Sequence, residues 1–238
     1  MRAESALGVV ARAPVLAGAR TLAVPEALAG MFPNGALQRG ATVVVDGGQG
    51  AVSLAMVLLS RVGWAAVVGV GDLGVVAAAE LGVCVDRLAL VPRVEAGQWA
   101  TVVGALLDSV DVVVARPPAH LRAGDARRLT ARARERGAVL VPLLPGRAWA
   151  DGAEVRLVVT GGRWEGPGAG DGHLVARRLT VAVSGRGAAA RPREVEVWLP
   201  EGRFAGADAD QLAHWHRSGT DSAPTERAEG PAVWRSAG

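Results

Sequence analysis

Between Ala41 and Leu144 the chain repeats one phrase: a short unbroken apolar run, a turn, then a segment with apolar residues at helical spacing. Thr42 to Asp46 (TVVVD) is the first run, and it leads through Gly47-Gly48-Gln49-Gly50 into a helix predicted over Ala51 to Val62. Trp64 to Gly69, Leu88 to Val91, Asp111 to Ala115 and Val139 to Leu144 are the later runs. The helices predicted between them are Gly74 to Leu81, Gly97 to Ser109 and Gly124 to Arg136. A run without polar alternation suits a strand buried on both faces, and strands joined by helical crossovers lie parallel. The pattern therefore predicts a parallel sheet with helices on both faces.

The rhythm changes after Leu144. Glu154 to Trp164, His173 to Ser184 and Val195 to Leu199 read as three consecutive strands joined by glycine-rich turns with no helix between them, an antiparallel meander added to the sheet. Leu179, Val181 and Val183 alternate with smaller or polar residues, as a strand with one buried face does. Residues 1–36 read as an N-terminal segment with a helical stretch at Pro25 to Met31 and a turn at Phe32-Pro33-Asn34-Gly35. Residues 37–200 form the core domain. Residues 201–238 read as a flexible tail with one short helix at Asp208 to Arg217.

Composition sharpens this picture. At 238 residues with 50% hydrophobic content, the chain can bury a substantial core. All 26 basic residues are Arg, so no chemistry that needs a lysine amine is open to it. The formal charge is only +3, although the pI is about 10.6. Without Lys or Tyr almost nothing titrates between His and Arg, so a small positive surplus persists to high pH and the pI does not mark a nucleic-acid binder. The surplus sits in residues 1–200, and the tail is mildly acidic. The single cysteine, Cys84, excludes an internal disulfide and suits a reducing compartment. The apolar run Ala6 to Ala11 is too short for a signal peptide, and Trp64 to Val85 is broken by Asp72 and Glu80, so a cytoplasmic protein without a membrane span is expected.

Two glycine loops invite a cofactor. Asp46 to Ser53 (DGGQGAVS) occupies a strand-to-helix junction where backbone amides cradle phosphates in nucleotide-binding proteins. It offers Gly47, Gly48, Gly50 and Ser53 but no lysine, and reads as a tight turn that lets the helix pack close to the strand. Gly69 to Gly74 matches G-x-G-x-x-G, the spacing of a dinucleotide-binding loop, so an NADP-binding Rossmann enzyme is an alternative. It follows the second strand rather than the first, and no acid ends the next strand.

The order of elements over residues 37–200 resembles the RecA ATPase core. Leu37-Gln38-Arg39-Gly40 running into TVVVDGGQG resembles the approach to its P-loop. Ala78 to Val83 with Asp86-Arg87-Leu88 resembles its second helix and third strand, and Val110 to Ala115 its metal-binding strand. Glu154 to Leu157, Leu179 to Ser184, Arg191-Pro192-Arg193 and Val195 to Leu199 resemble its closing meander. The resemblance implies a RecA-like three-layer α/β fold. In that alignment the P-loop lysine has no counterpart, the general-base glutamate falls near Val70, and the magnesium-supporting aspartate falls at Ala115-Arg116. Losing all three is expected to abolish phosphoryl transfer, leaving a pseudoenzyme with no catalytic residue, no metal and no cofactor. Among such cores the chain resembles the ImuA-type accessory protein of the actinobacterial mutasome. That resemblance implies an adaptor in SOS-induced translesion synthesis, which binds a catalytically inactive Y-family polymerase homologue (ImuB type) and through it an error-prone replicative-type polymerase and the sliding clamp. The SulA-type cell-division inhibitor or another inactive RecA paralogue is the alternative within the fold.

Other candidate residues point to surfaces. The helix Gly124 to Arg136 carries Arg127, Arg128 and Arg132, and Arg186, Arg191 and Arg193 cluster at a turn of the meander; either set suits weak phosphate contact, at most weak DNA binding. A solvated outer helix with its cations toward the C-terminus, where they suit the dipole, is the plainer account of the first set. In the tail, Phe204, Leu212, Trp215 and Trp234 are apolar anchors in a polar stretch, the pattern of a segment that orders on a partner's groove. His214 and His216, at i and i+2, point apart on a helix and make a poor metal pair.

Overall fold

Each apolar run of the first half forms a strand in the computed structural model, which describes residues 20–48, 50–150, 152–166 and 176–199. A short ribbon comes first: β1 (Thr21–Ala23) pairs antiparallel with β2 (Ala36–Gln38), with α1 (Glu26–Ala29) and a 3-10 turn at Pro33–Gly35 between them. The main sheet and its helices follow as β3 (Val43–Gly47), α2 (Ala51–Leu58), β4 (Ala65–Val68), α3 (Val75–Glu80), β5 (Leu88–Val91), α4 (Trp99–Leu107), β6 (Val112–Ala115), α5 (Ala123–Arg136) and β7 (Val139–Leu144). The closing strands are β8 (Val155–Glu165), β9 (Ala176–Gly185) and β10 (Arg193–Leu199). The eight-stranded sheet runs β10-β9-β8-β3-β7-β6-β4-β5. Pairing is parallel from β5 through β8 and antiparallel across β8-β9-β10. The fold is α/β, with a mostly parallel mixed sheet extended by an antiparallel meander.

Alternate side chains of the parallel strands enter two different cores. Val43 and Val45 of β3, Val67 of β4, Val112 and Val114 of β6 and Val141 of β7 pack with α2, while Val44, Val68, Val113 and Leu140 pack with Trp99, Val103 and Leu107 of α4 and Leu129 and Ala133 of α5. Two cores on opposite faces of the sheet are why these strands show no polar alternation. Helix α5 ends on Gly137 in the left-handed conformation, with Arg134 and Arg136 in its last turn where cations suit the dipole.

The structure modifies the expected elements in particular ways. Helix α2 stops at Leu58 rather than Val62, and the Ser60 hydroxyl donates back to the Val57 carbonyl at 2.8 Å, as serines near helix ends do. The ribbon β1-β2 was not expected, because three-residue strands leave almost no periodic signal. Residues on the amino side of Leu37 contribute to the core itself: Leu22, Leu28, Met31 and Phe32 are buried in the cluster that covers the α2 face. No helix among the described residues is long and apolar enough to cross a membrane. The tail anchors Phe204, Leu212, Trp215 and Trp234, the expected helix at 208–217, and His214 and His216 lie outside the described residues.

Candidate functional site at the carboxyl ends of the parallel strands

Ligands of open α/β sheets bind beyond the carboxyl ends of the strands, which here carry both glycine loops. At the end of β3, Gly47 (φ +108°) and Gly50 (φ +106°) have backbones that other residues rarely adopt. Close packing adds to the requirement. A Cβ on Gly47 would lie 2.5 Å from the Val159 carbonyl oxygen of β8, and one on Gly50 would lie 2.7 Å from Leu179 Cδ2 of β9. Gly48, by contrast, has nothing within 4 Å of its Cβ position. Gly47 and Gly50 therefore admit the meander against the turn, a packing role sufficient to explain them. Ser53, on α2, is half-buried.

Asp46, which ends the apolar part of β3, is buried and fully engaged. Its Oδ1 accepts from the Gly47 amide at 2.6 Å and the Gly146 amide at 2.7 Å, and its Oδ2 accepts from Arg156 of β8. The Arg147 guanidinium in the turn after β7 donates to the Pro118 carbonyl at 3.1 Å and the Ala119 carbonyl. Asp72, in the second loop, pairs with Arg116 at 3.1 Å. A backbone hydrogen bond, then the bond and the charge of Arg116, hold its carboxyl below the usual aspartate range. Gly69 (φ +75°) again answers a close approach, since its Cβ would stand 2.7 Å from the Arg116 carbonyl oxygen. The carboxylates at this edge are thus committed to arginines and amides.

Arg177 has no such commitment among the described residues. Arg177, at the start of β9, places its guanidinium 3.3 Å from the Cβ position of Gly50 and stacks over the Trp164 ring at 5.1 Å to the centroid. Its Nε is buried without a hydrogen-bond partner, and burial lowers its pKa from the ordinary arginine value. Sequence reasoning passed over Arg177 and Trp164. Only the register Trp164↔Arg177 across β8 and β9 brings them together above the glycine turn.

The arginines expected at surfaces divide. On α5, Arg128 pairs with Asp125, Arg132 and Arg136 both reach Asp108, and Arg134 reaches Glu154 at 3.2 Å. Arg127 is exposed. Arg193 donates to the Gly30 carbonyl at 2.8 and 3.2 Å, pinning β10 to α1, and Arg191 is exposed beyond it. Arg186 is exposed at the opposite end of the sheet from the glycine turn, beside the amino end of β8.

A family model, the MT3502 N-terminal domain, matches residues 30–151, just over half of the chain. The chain belongs to this family. The matched segment runs from the end of α1 to the turn after β7, so it contains β3 to β7 with their helices and both glycine loops, while β8, also parallel to β3, and the rest of the meander lie beyond it. The function of MT3502 N-terminal domains is unclear, and no curated protein matches the chain.

Proposed function

We propose that this MT3502-family chain is a non-catalytic adaptor of RecA-like build and the ImuA type. It acts in the cytoplasm in damage-induced translesion synthesis by holding an inactive Y-family polymerase homologue. The observation that carries the reading is the state of the strand ends. Phosphoryl transfer needs a cation on the transferred phosphate, a carboxylate for the metal and a base for water. Here Asp46 is held by two amides and Arg156, Asp72 is held by Arg116, and the end of the fourth main-sheet strand is Ala115-Arg116. The order of elements, a glycine turn after the first parallel strand and an antiparallel meander last, supports the RecA-like build.

A fold without chemistry is useful as surface. β5 itself holds no charged residue, and exposed apolar side chains occur on it (Leu90), just before it (Val85) and on α3 (Val75, Val76), which suits a protein partner. Co-purification of the full chain with the polymerase homologue from damaged cells tests the reading, together with thermal shift in ATP-Mg, NAD and NADP. The expected result is a stable complex and no shift with any nucleotide; saturating ligand would add about 2.7 kcal/mol at 100 times its Kd. ATP turnover, or an NADP shift alone, would replace the adaptor with an enzyme.

A second reading has one observation of its own. Arg177 sets an unpaired buried N–H and a positive charge beside the glycine turn, where the P-loop lysine of RecA-like ATPases has no counterpart. That arrangement favours residual phosphate binding without hydrolysis. An ATP shift that disappears in Arg177→Ala would select it.

A further inference from the structure

The two edges of the main sheet differ in what they offer a further strand. β10 (REVEVWL) is charged, whereas β5 (LALV) is not, and β5 pairs on one side only, with β4. The Gly69 amide donates to the Val91 carbonyl at 2.9 Å, so Val91 turns its backbone polar groups toward β4. Successive residues of a strand turn theirs to alternate sides, so Ala89 also faces β4, while Leu88 and Leu90 present theirs at the edge. The Leu88 amide donates to the Val85 carbonyl in the turn before the strand. Among the described residues, no other element reaches the Leu88 carbonyl or the amide and carbonyl of Leu90. Apolar side chains lie close by in sequence and are open to solvent: Leu90 is 40% exposed, and Val85, Val75 and Val76 are exposed too. Ala78 of α3 and Leu88 enter the same core, so Leu90, two residues further along, lies on the α3 side of the sheet.

The flanking charges select what pairs here. Asp86 and Arg87 precede the strand and Arg93 and Glu95 follow it, all four exposed. An antiparallel copy of the same strand brings the entry of one beside the exit of the other, so each end gathers two charges of each sign. A parallel copy would set like beside like. The register follows from the same residues. Centred on Leu90, the pairing sets Arg87 opposite Arg93, which is unfavourable. Centred on Leu88, both facing amides are already used by Val85. Centred on Ala89, Leu88 faces Leu90 twice, each Leu90 amide meets a Leu88 carbonyl, and no two like charges face each other.

We propose that β5 pairs antiparallel with β5 of a second copy of this chain, across a two-fold axis at Ala89, joining two eight-stranded sheets into one. This goes beyond the adaptor reading by naming the chain itself as the protein partner at this edge. It is tested on the purified chain alone, so its failure is separate from any failure to capture the polymerase homologue. Sedimentation equilibrium of the full chain is expected to show a dimer of twice 24.3 kDa. Leu90→Lys, a charge at an exposed edge position, is expected to weaken that dimer at least about tenfold with the far-ultraviolet circular dichroism of the parent chain retained. In a Cys84→Ser background, Ala89→Cys is expected to give a disulfide-linked dimer on oxidation, because residues facing each other in a non-hydrogen-bonded pair stand about 4.5 Å apart between Cα atoms, within disulfide reach. Leu90→Cys, which faces Leu88, is expected to give none. A chain that stays monomeric at high micromolar concentration overturns the proposal, as does a dimer that Leu90→Lys leaves intact or one crosslinked through Leu90→Cys and not Ala89→Cys.

Discussion

The parallel body and the meander share one sheet but solve burial differently. In β3, β4, β6 and β7 nearly every side chain is buried, because α2 and α3 cover one face and α4 and α5 the other. Among the described residues, the meander has only one face covered. Leu157, Val159, Leu179, Val181, Val183, Val197 and Leu199 enter the α2-side core, while Arg178, Thr180, Ala182, Glu194, Glu196 and Trp198 lie on the other face. The two outer strands differ in the same sense: β10 is studded with charge, which discourages edge pairing, and β5 (LALV) is not. The body is thus sealed at its faces and open at its edge. The meander is guarded at its edge and open at a face, and it lies outside the family-matched segment.

The largest test of that difference is a charge placed in each region. Val113→Asp would bury a carboxylate at a position with no exposure, between β6 and the α4-α5 layer. It is expected to cost more than about 4 kcal/mol and abolish cooperative unfolding. Thr180→Lys, on the open face opposite Glu196, is expected to change stability by less than about 0.5 kcal/mol. Urea titration measures both. Similar losses at the two positions would mean that the outer face of the meander is covered after all.

The glycine turn is where the two regions meet, and it gives the next effect. Gly47→Ala sets a left-handed backbone and a 2.5 Å collision with β8 against the substitution, and is expected to cost about 2 to 4 kcal/mol. Gly48→Ala meets nothing and is expected to be within about 0.5 kcal/mol of the parent chain. A phosphate cradle would show the opposite emphasis, with both variants changing nucleotide affinity. The same seam is closed by Asp46 of β3 and Arg156 of β8, whose side chains are 7% and 34% exposed. Arg156→Gln leaves a buried carboxylate with only its two amides. Because the arginine is partly solvated, a loss of about 1 to 3 kcal/mol is expected, below that of a fully buried pair. Equilibrium unfolding of this variant separates the seam from the turn.

Legibility in the sequence follows the same division. Val139–Leu144 matches its expected run at both ends, because a strand buried on both faces leaves an uninterrupted apolar word; Leu88–Val91 matches as well, although β5 is only partly buried at the sheet edge. The meander was readable as three strands, yet its contribution to the site was not. Arg177 and Trp164 meet only through a register that contains a bulge between Val159 and Gly161, and no local spacing encodes that shift. The α5 arginines illustrate the converse. Their positions were plain, but Asp108, which receives Arg132 and Arg136, lies on a different element and neutralises part of what looked like a basic ridge. Charge counted along one helix overestimates the charge it presents.

The smallest effect concerns that ion cluster, which ties α4's end to α5 within the parallel body and has no counterpart between helices in the meander. The hydrogen bond from Arg132 is the main cause that lowers the Asp108 pKa; desolvation opposes it, and the charges of Arg132 and Arg136 reinforce it. A carboxyl whose folded pKa lies below its unfolded value of about 4 contributes stability that is complete above that pH and is lost as pH falls through the folded value. The side chains are 28% and 45% exposed for Asp108 and Arg132, so solvent screening limits the contribution to about 1 kcal/mol or less. Asp108→Asn is therefore expected to lower the melting temperature slightly at pH 7, by a difference that shrinks as the pH falls through the folded pKa of the parent carboxyl. Melting curves of both chains from pH 7 to pH 2 should draw together in acid. A difference that stays constant across that range would mean that Asp108 holds α4 and α5 together through shape and neutral hydrogen bonding rather than charge.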